Sequence, residues 1–221
     1  MLKTTDIVKT SDGSHTLYVP ELNEHYHSVH GAIQESDYIF IKCGLNFSKA
    51  DPVRIFELGF GTGLNAFLTS IDALSRTRKV VYTAIEKFPL PASVINALNY
   101  KDFFSIENRY LFDRIHESKW NITQNISNIF TLNKIEGDFT KHEIKGNFDL
   151  IYFDAFGPDK QPEMWTDSVF EKISCITGRN GILVTYSAKG TVQRMLKKFG
   201  FEVTLLPGPP GKRQIIRAVK I

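Results

Sequence analysis

The chain has 221 residues, of which 42% are hydrophobic and 23% charged, and its formal net charge at pH 7 is +3. That balance is ordinary for one soluble globular unit large enough to bury a core without disulfides, and it carries no strong polyanion-binding signal of its own. The two cysteines, Cys43 and Cys175, are too few for a disulfide framework and show no zinc spacing; with no signal pattern and no membrane-length apolar run, the expected compartment is a reducing cytoplasm.

In chain order, residues 6–19 read as a β-hairpin. Ile7-Val8 and Leu17-Tyr18-Val19 flank the turn sequence Ser11-Asp12-Gly13-Ser14. The stretch from Glu21 to Ile33 is rich in ring side chains. His27 and His30 stand three apart, but no third ligand follows at a useful interval, so no metal is expected there. From Val53 onward strand and helix signals alternate. Strands are expected over Arg54–Leu58, Val80–Glu86, Phe130–Glu136, Phe148–Phe153, Gly181–Tyr186, Phe201–Leu206 and Gln214–Val219. Helices fall between them at about Leu64–Leu74, Ala92–Asn99, Phe103–Glu117, Met164–Ile176 and Thr191–Phe199. Such alternation points to an α/β, doubly wound, mainly parallel sheet. The last two strands are joined only by Pro207-Gly-Pro-Pro-Gly-Lys212, too short for a parallel crossover, so they should pair antiparallel. A seven-stranded sheet closed by an antiparallel C-terminal hairpin is the layout of class I, Rossmann-like methyltransferases.

The chemistry begins at Glu57-Leu-Gly-Phe-Gly-Thr-Gly-Leu64. A buried strand runs through alternating glycines into a helix, which brings backbone N–H groups to a helix N-terminus with only hydrogen in a ligand's way. The spacing differs from the G-x-G-x-x-G of dinucleotide sites, and Glu57 would repel a diphosphate. A cationic nucleoside such as S-adenosylmethionine would be welcome there.

In an open α/β sheet the ligand lies over the carboxyl ends of the strands, near the point where strand order reverses. The second strand ends at Glu86, a carboxylate able to accept both hydroxyls of a ribose. The third leads to Asp138 and Phe139, suited to an adenine amine and ring. The fourth ends at Asp154, followed by Phe156, Pro158, Met164 and Trp165. Methyl transfer from a sulfonium to nitrogen needs an uncharged nitrogen, hence an acceptor for an N–H and a dry pocket. Asp154 is the expected acceptor, and the apolar residues after it are the expected walls. Basic residues crowd the last quarter (Lys189, Arg194, Lys197, Lys198, Lys212, Arg213, Arg217, Lys220), as a phosphate-binding patch or as a solvated face.

Four passages together resemble the methyltransferase family that completes 5-methylaminomethyl-2-thiouridine at the tRNA wobble position. They are Gly31–Phe40, Glu57–Asn65, Asp154-Ala-Phe-Gly-Pro-Asp-Lys-Gln-Pro-Glu-Met-Trp165 and Gly208-Pro-Pro-Gly-Lys-Arg213. The resemblance runs from about Tyr26 to the C-terminus. It implies that Glu57, Gly59, Gly61 and Gly63 line the methionine part of S-adenosylmethionine, Glu86 the ribose and Asp138 the adenine. Asp154 would face the amine with Glu35 and Tyr26 nearby, and Lys212 and Arg213 would meet tRNA phosphates near the anticodon. In that family the domain is often fused to a flavin-dependent oxidase. This chain is similar to the stand-alone form, with no FAD and no metal expected, and with a separate enzyme supplying the aminomethyl intermediate. Residues 1–50 are then a hairpin and lid segment, and 51–221 the methyltransferase domain.

The expected function is accordingly S-adenosylmethionine-dependent N-methylation of 5-aminomethyl-(2-thio)uridine in tRNA. Two alternatives share some of these features. One is transfer to a small-molecule amine or a protein, including polyamine-synthase-like chemistry with Asp159 as second acid. The other is a non-catalytic tRNA- or nucleotide-binding module.

Overall fold

Short apolar runs bounded by Gly, Pro or Asn set the strands, and the computed structural model, which describes residues 5–221, arranges them in two sheets. The smaller is antiparallel: β1 (Asp6–Lys9), β2 (His15–Val19) and β3 (Glu24–His25). The expected hairpin therefore gains a third strand, too short to leave a pattern in sequence. After it, α1 (Ala32–Ser36) continues into a π-helical stretch, Asp37–Lys42.

The larger sheet has eight strands. Along the chain come β4 (Val53–Leu58), α2 (Leu64–Arg76), β5 (Val80–Glu86), α3 (Ala92–Asn96), α4 (Ile106–Glu117), β6 (Gln124–Asn125), β7 (Phe130–Glu136) and β8 (Phe148–Phe153). They are followed by α5 (Asp167–Ile176), β9 (Thr177–Thr185), α6 (Gly190–Lys198), β10 (Phe201–Pro207) and β11 (Gln214–Lys220). The spatial order is β10-β11-β9-β8-β4-β5-β7-β6. Strands β9, β8, β4, β5 and β7 are mutually parallel, and β11 lies antiparallel between β10 and β9 as its short connection demands. All seven expected strands are present. The eighth, β6, is a two-residue antiparallel edge on β7, made by a tight return through Ser127.

Strand β4 is buried along nearly its whole length, as a central parallel strand covered on both faces must be. One buried cluster joins Ile55, Phe67 and Tyr82 to α2, α4 and the N-terminal segment through Leu17, Ala32 and Phe40. The other joins Phe56, Phe153 and Ile216 to α5 and α6. Two expected helices begin later than their apolar pattern. Phe104 and Ser105 are extended, so a 3-10 turn at Tyr100–Phe103 is cut off from α4. Thr166, at φ −98° and ψ 160°, likewise separates the Pro162–Trp165 turn from α5.

The chain steps outward from β4 through β5 to β7, then returns to β8 on the other side of β4. The strand order reverses between β4 and β8, and at that crevice Glu57 and Asp154 come together.

Candidate active site

The loop after β4 is glycine because nothing larger fits. Gly59, Gly61 and Gly63 have φ of +88°, +50° and +71°, where side chains are strained. A Cβ at Gly59 would lie 3.1 Å from the Asp154 carbonyl oxygen, at Gly61 3.1 Å from the Tyr26 ring, and at Gly63 2.7 Å from the His116 ring. Four of the loop's N–H groups, however, are already engaged, so donors there are fewer than the glycine pattern suggests. Gly59 and Phe60 donate to the Ile85 carbonyl at 3.0 and 3.3 Å, Gly61 to Glu86 Oε2 at 3.0 Å, and Gly63 to the Phe60 carbonyl at 2.8 Å. The neighbouring strand end supplies acceptors to Gly59, Phe60 and Gly61, so at these positions the loop offers close approach rather than unpaired donors.

Beneath it lie the acids. Asn65, in the first turn of α2, uses its Nδ2 to donate to Glu57 Oε1 at 2.9 Å and to Asp154 Oδ2 at 2.7 Å. Burial pushes both carboxyls well above the ordinary carboxylate range, and the Asn65 bonds oppose this only in part. Glu35 raises Asp154 further, while Lys212 lowers it. Burial likewise raises Glu86, against the N–H groups of Phe88 and Gly61 that it accepts. Acids desolvated in this way are relieved by a cation, whose charge favours their ionised form. That chemistry fits a sulfonium nucleoside.

A cavity of about 560 Å³ opens above these groups. Toward β4, β5 and β7 it is bounded by Tyr26, Gly59, Gly61, Glu86, Asp138 and Phe139; toward the other side by Glu35, Asp154, Phe156, Pro158 and Lys212. Four other expected residues are placed elsewhere. Glu57 has no exposed surface and acts from below through Asn65. Gly63 packs on His116. Trp165 belongs to the core with Phe153 and Phe170, and its Nε1 donates to the Phe156 carbonyl at 2.7 Å, so it fixes the wall instead of forming it. Arg213 is exposed beyond the cavity.

Asp138 accepts from the Thr140 N–H and hydroxyl and pairs with Lys87 at 3.0 Å. Burial would raise its pKa, but these partners outweigh it and hold it near about 2. The Phe139 ring faces Phe56 and lies under Lys172, so much of it is committed to the core. Lys212 does not point to solvent as a phosphate contact would. Its Nζ is 3.1 Å from Glu35 Oε1 and 4.8 Å from the centre of the Tyr186 ring. Glu35 also accepts the Ser28 N–H at 2.8 Å. Tyr26 meets Phe156 edge-on, with ring centres 5.1 Å apart, and so ties the two sides together.

The basic run of the last quarter disperses. Lys189 pairs with Asp159, Lys198 with Asp167, and Lys220 bonds Ser174 and the Phe199 carbonyl; Arg217 lies 3.6 Å from the centre of the Phe47 ring. Asp159, the candidate second acid of a polyamine synthase, is thereby taken up by Lys189 at the cavity's edge. His27 and His30 diverge: His27 Nε2 bonds the Thr62 hydroxyl at 2.9 Å, and His30 packs on Gly211. Among the described residues no group of three or more His, Cys, Asp or Glu could hold a metal ion, and no helix is long and apolar enough to cross a membrane.

Sequence reasoning missed Asn65, Lys87 and Tyr186. Asn65 follows the glycine loop directly, and its place one turn into α2 was the available signal. Tyr186 directly follows β9, the strand beside β8, and donates to the Ala155 carbonyl at 2.9 Å.

Comparison with known proteins adds to this geometry. A family described as S-adenosyl-L-methionine-dependent methyltransferase matches residues 109–221. The tRNA 5-methylaminomethyl-2-thiouridine biosynthesis bifunctional protein MnmC of Actinobacillus pleuropneumoniae is 27% identical over 98% of this chain and 35% of its own length. The protein of the same name from Campylobacter hominis is 30% identical over 91% of this chain and 31% of its own. This chain thus spans about a third of these relatives. The crystal structure of MNMC2 from Aquifex aeolicus aligns with a TM-score of 0.81 at 27% identity, over 97% of this chain and 69% of that one. TrmN from Thermus thermophilus, at a TM-score of 0.51 and 12% identity over 81% of this chain and 48% of that one, shares the fold alone.

Proposed function

The chain belongs to the S-adenosyl-L-methionine-dependent methyltransferases, and from that premise we propose that it methylates the amine of 5-aminomethyl-(2-thio)uridine at the tRNA wobble position. The product is the 5-methylaminomethyl nucleoside. The names of the MnmC relatives support the substrate class. The observation that carries the reading is Asp154, an acid at the reversal point of the sheet, bounding the cavity and tied through Asn65 to Glu57.

When bound, S-adenosylmethionine supplies a methyl group on positively charged sulfur, which a nitrogen lone pair takes while the C–S electrons return to sulfur. The chain's own residues prepare that event. Gly59 and Gly61 allow close approach to the methionine part, with Glu57 and Gly63 shaping the loop from behind. Glu86 accepts the ribose hydroxyls. Asp138, kept ionised by Lys87 and Thr140, accepts the adenine amine, and the edge of Phe139 borders the ring. Tyr26 covers the loop. Asp154 accepts an N–H of the acceptor amine and orients its lone pair; after transfer the extra proton leaves nitrogen for this carboxylate or for water. Phe156, Pro158 and Tyr186 exclude water around the amine, with Trp165 bracing Phe156. Residues 1–50 act as the lid, closing over the cavity through Tyr26 and Glu35 (residues 1–4 lie outside the described residues), while Arg213 meets tRNA phosphate. An enzyme that exposes the aminomethyl group acts before this one.

The test is nucleoside mass spectrometry of tRNA from cells lacking the protein. The expected result is aminomethyl-uridine in place of methylaminomethyl-uridine. Methylaminomethyl-uridine at its normal level would overturn the assignment.

A further inference from the structure

We propose that Lys212 keeps the acceptor nitrogen uncharged, acting as an internal cation that makes the ammonium form of the substrate unfavourable in the cavity. The inference rests on the amine-acceptor reading above and extends it to a group for which the family resemblance implies phosphate binding.

Its basis is where the Lys212 ammonium is held. The turn between β10 and β11 closes on itself: the Gly208 N–H donates to the Arg213 carbonyl at 3.1 Å, and the Lys212 N–H to the Pro209 carbonyl at 2.9 Å. A Cβ at Gly208 would lie 2.3 Å from the Lys212 carbonyl oxygen, so no other residue fits that closure. The N-terminal segment then fastens the turn from outside. Tyr38 donates to the Pro207 carbonyl at 3.0 Å, and a Cβ at Gly211 would stand 2.1 Å from the His30 ring. Held this way, the Lys212 side chain is only 27% exposed and reaches the cavity that Asp154 bounds, while its neighbour Arg213 faces solvent.

Three elements bring groups to it: Glu35 from α1, Asp154 from the end of β8 and Tyr186 from beyond β9. Glu24 of β3 acts on Tyr186 in turn, and His30 lies over the adjacent Gly211. Glu35 and Asp154 by themselves would stabilise an entering ammonium, which has no lone pair and cannot attack. A fixed cation in the same water-poor space opposes that, as a neighbouring cation lowers the pKa of a nucleophilic amine. Lys212 offsets part of the negative charge of Glu35 and Asp154, as the donor's sulfonium also does, so the site favours an amine that arrives uncharged. The balance of the binding step is R–NH3+ giving R–NH2 in the site and one proton to the buffer.

Calorimetry in buffers of different ionisation enthalpy reads this proton without turnover. The protein is first loaded with an unreactive donor analogue bearing an ammonium in place of the sulfonium, then titrated at pH 7 with aminomethyl-tRNA, with amine-free tRNA as baseline. Wild type should release close to one proton per amine bound, Lys212→Gln should release far less, and Lys212→Arg should restore release. In a second measurement, the acid limb of kcat against pH, which reports the bound substrate, should move up by about one pH unit in Lys212→Gln, whatever the height of its plateau. Unchanged proton release and an unmoved limb in Lys212→Gln, with only a higher KM for tRNA, would overturn the inference and return Lys212 to phosphate binding. A wild-type protein that transfers no methyl to aminomethyl-tRNA at any pH would instead break the functional reading beneath it.

Discussion

The wall of the cavity formed by the ends of β4, β5 and β7 is held by bonds that its backbone N–H groups donate, all but one of them to backbone carbonyls and that one to the Glu86 carboxylate. Gly59 and Phe60 lean on Ile85, Gly61 on Glu86, and Gly137 donates to the Glu86 carbonyl at 2.9 Å. The facing wall, from the N-terminal segment, the loop after β8 and the β10–β11 turn, is held by side chains: His27 to Thr62, Glu35 to Ser28, Lys212 to Glu35, Trp165 to Phe156 and Tyr38 to Pro207. A backbone-held wall tolerates little change of shape and keeps its electrostatics through the fold. A wall of side chains can be altered in charge while the fold persists, which suits the side that distinguishes one acceptor from another. Damage to the first should therefore appear as lost stability and donor affinity, and damage to the second as lost transfer in a folded protein.

The largest expected effect is on the second wall. Asp154→Asn should lower methyl transfer by about 10²- to 10⁴-fold with donor affinity within a few-fold of wild type, read by a labelled-methyl assay and calorimetry. The same variant should gain stability when free of ligand. Because burial raises the folded pKa of Asp154 above its unfolded value, the stability linked to this group is fully present below the unfolded pKa and is lost as pH rises through the folded one. Melting temperature should thus fall less steeply with rising pH in Asp154→Asn than in wild type, with Glu57 supplying the slope that remains.

Asn65→Ala sits where the two walls meet and should show both kinds of damage. It removes the one donor shared by Glu57 and Asp154, costing about 1–3 kcal/mol of stability in denaturant unfolding and up to about 100-fold in kcat/KM. Gly63→Ala tests the backbone-held wall alone. A side chain at φ +71° pressed on His116 should cost about 1–3 kcal/mol and lower the melting temperature, with donor KM rising more than tRNA KM. The smallest effect belongs to Arg213→Ala, outside both walls: a weaker tRNA interaction whose log–log salt slope falls by about one, with the kcat plateau kept.

Much of the first wall was legible in the sequence, because strands end at regular places and the side chains that matter stand at those ends. Glu86 and Asp138 could be named from strand order alone, as could Asp154 across from them on the second wall, and the antiparallel close of the sheet from the length of the Pro207–Lys212 connection. The second wall was less legible because it depends on which way side chains turn after the fold is made. Lys212 and Arg213 are adjacent and chemically alike, yet one is half-buried against Glu35 and the other exposed; contacts with Tyr186 and the pinned turn separate them. Trp165 looked like a wall for the same reason, although a core formed by Phe153 and Phe170 claims its ring. Glu57 stood correctly at a strand end, but its full burial follows from coverage of β4 on both faces and from Asn65 lying over it.

The central claim is methyl transfer to the aminomethyl nitrogen of a wobble uridine. Its most direct test incubates the purified protein with isotopically labelled S-adenosylmethionine and two tRNA samples, one carrying 5-aminomethyl-2-thiouridine and one unmodified, followed by nucleoside digestion and mass spectrometry. The account expects one labelled methyl on the exocyclic amine of the first sample and none on the second. Equal labelling of both, or labelled methyl on a ring or ribose atom instead, would contradict it.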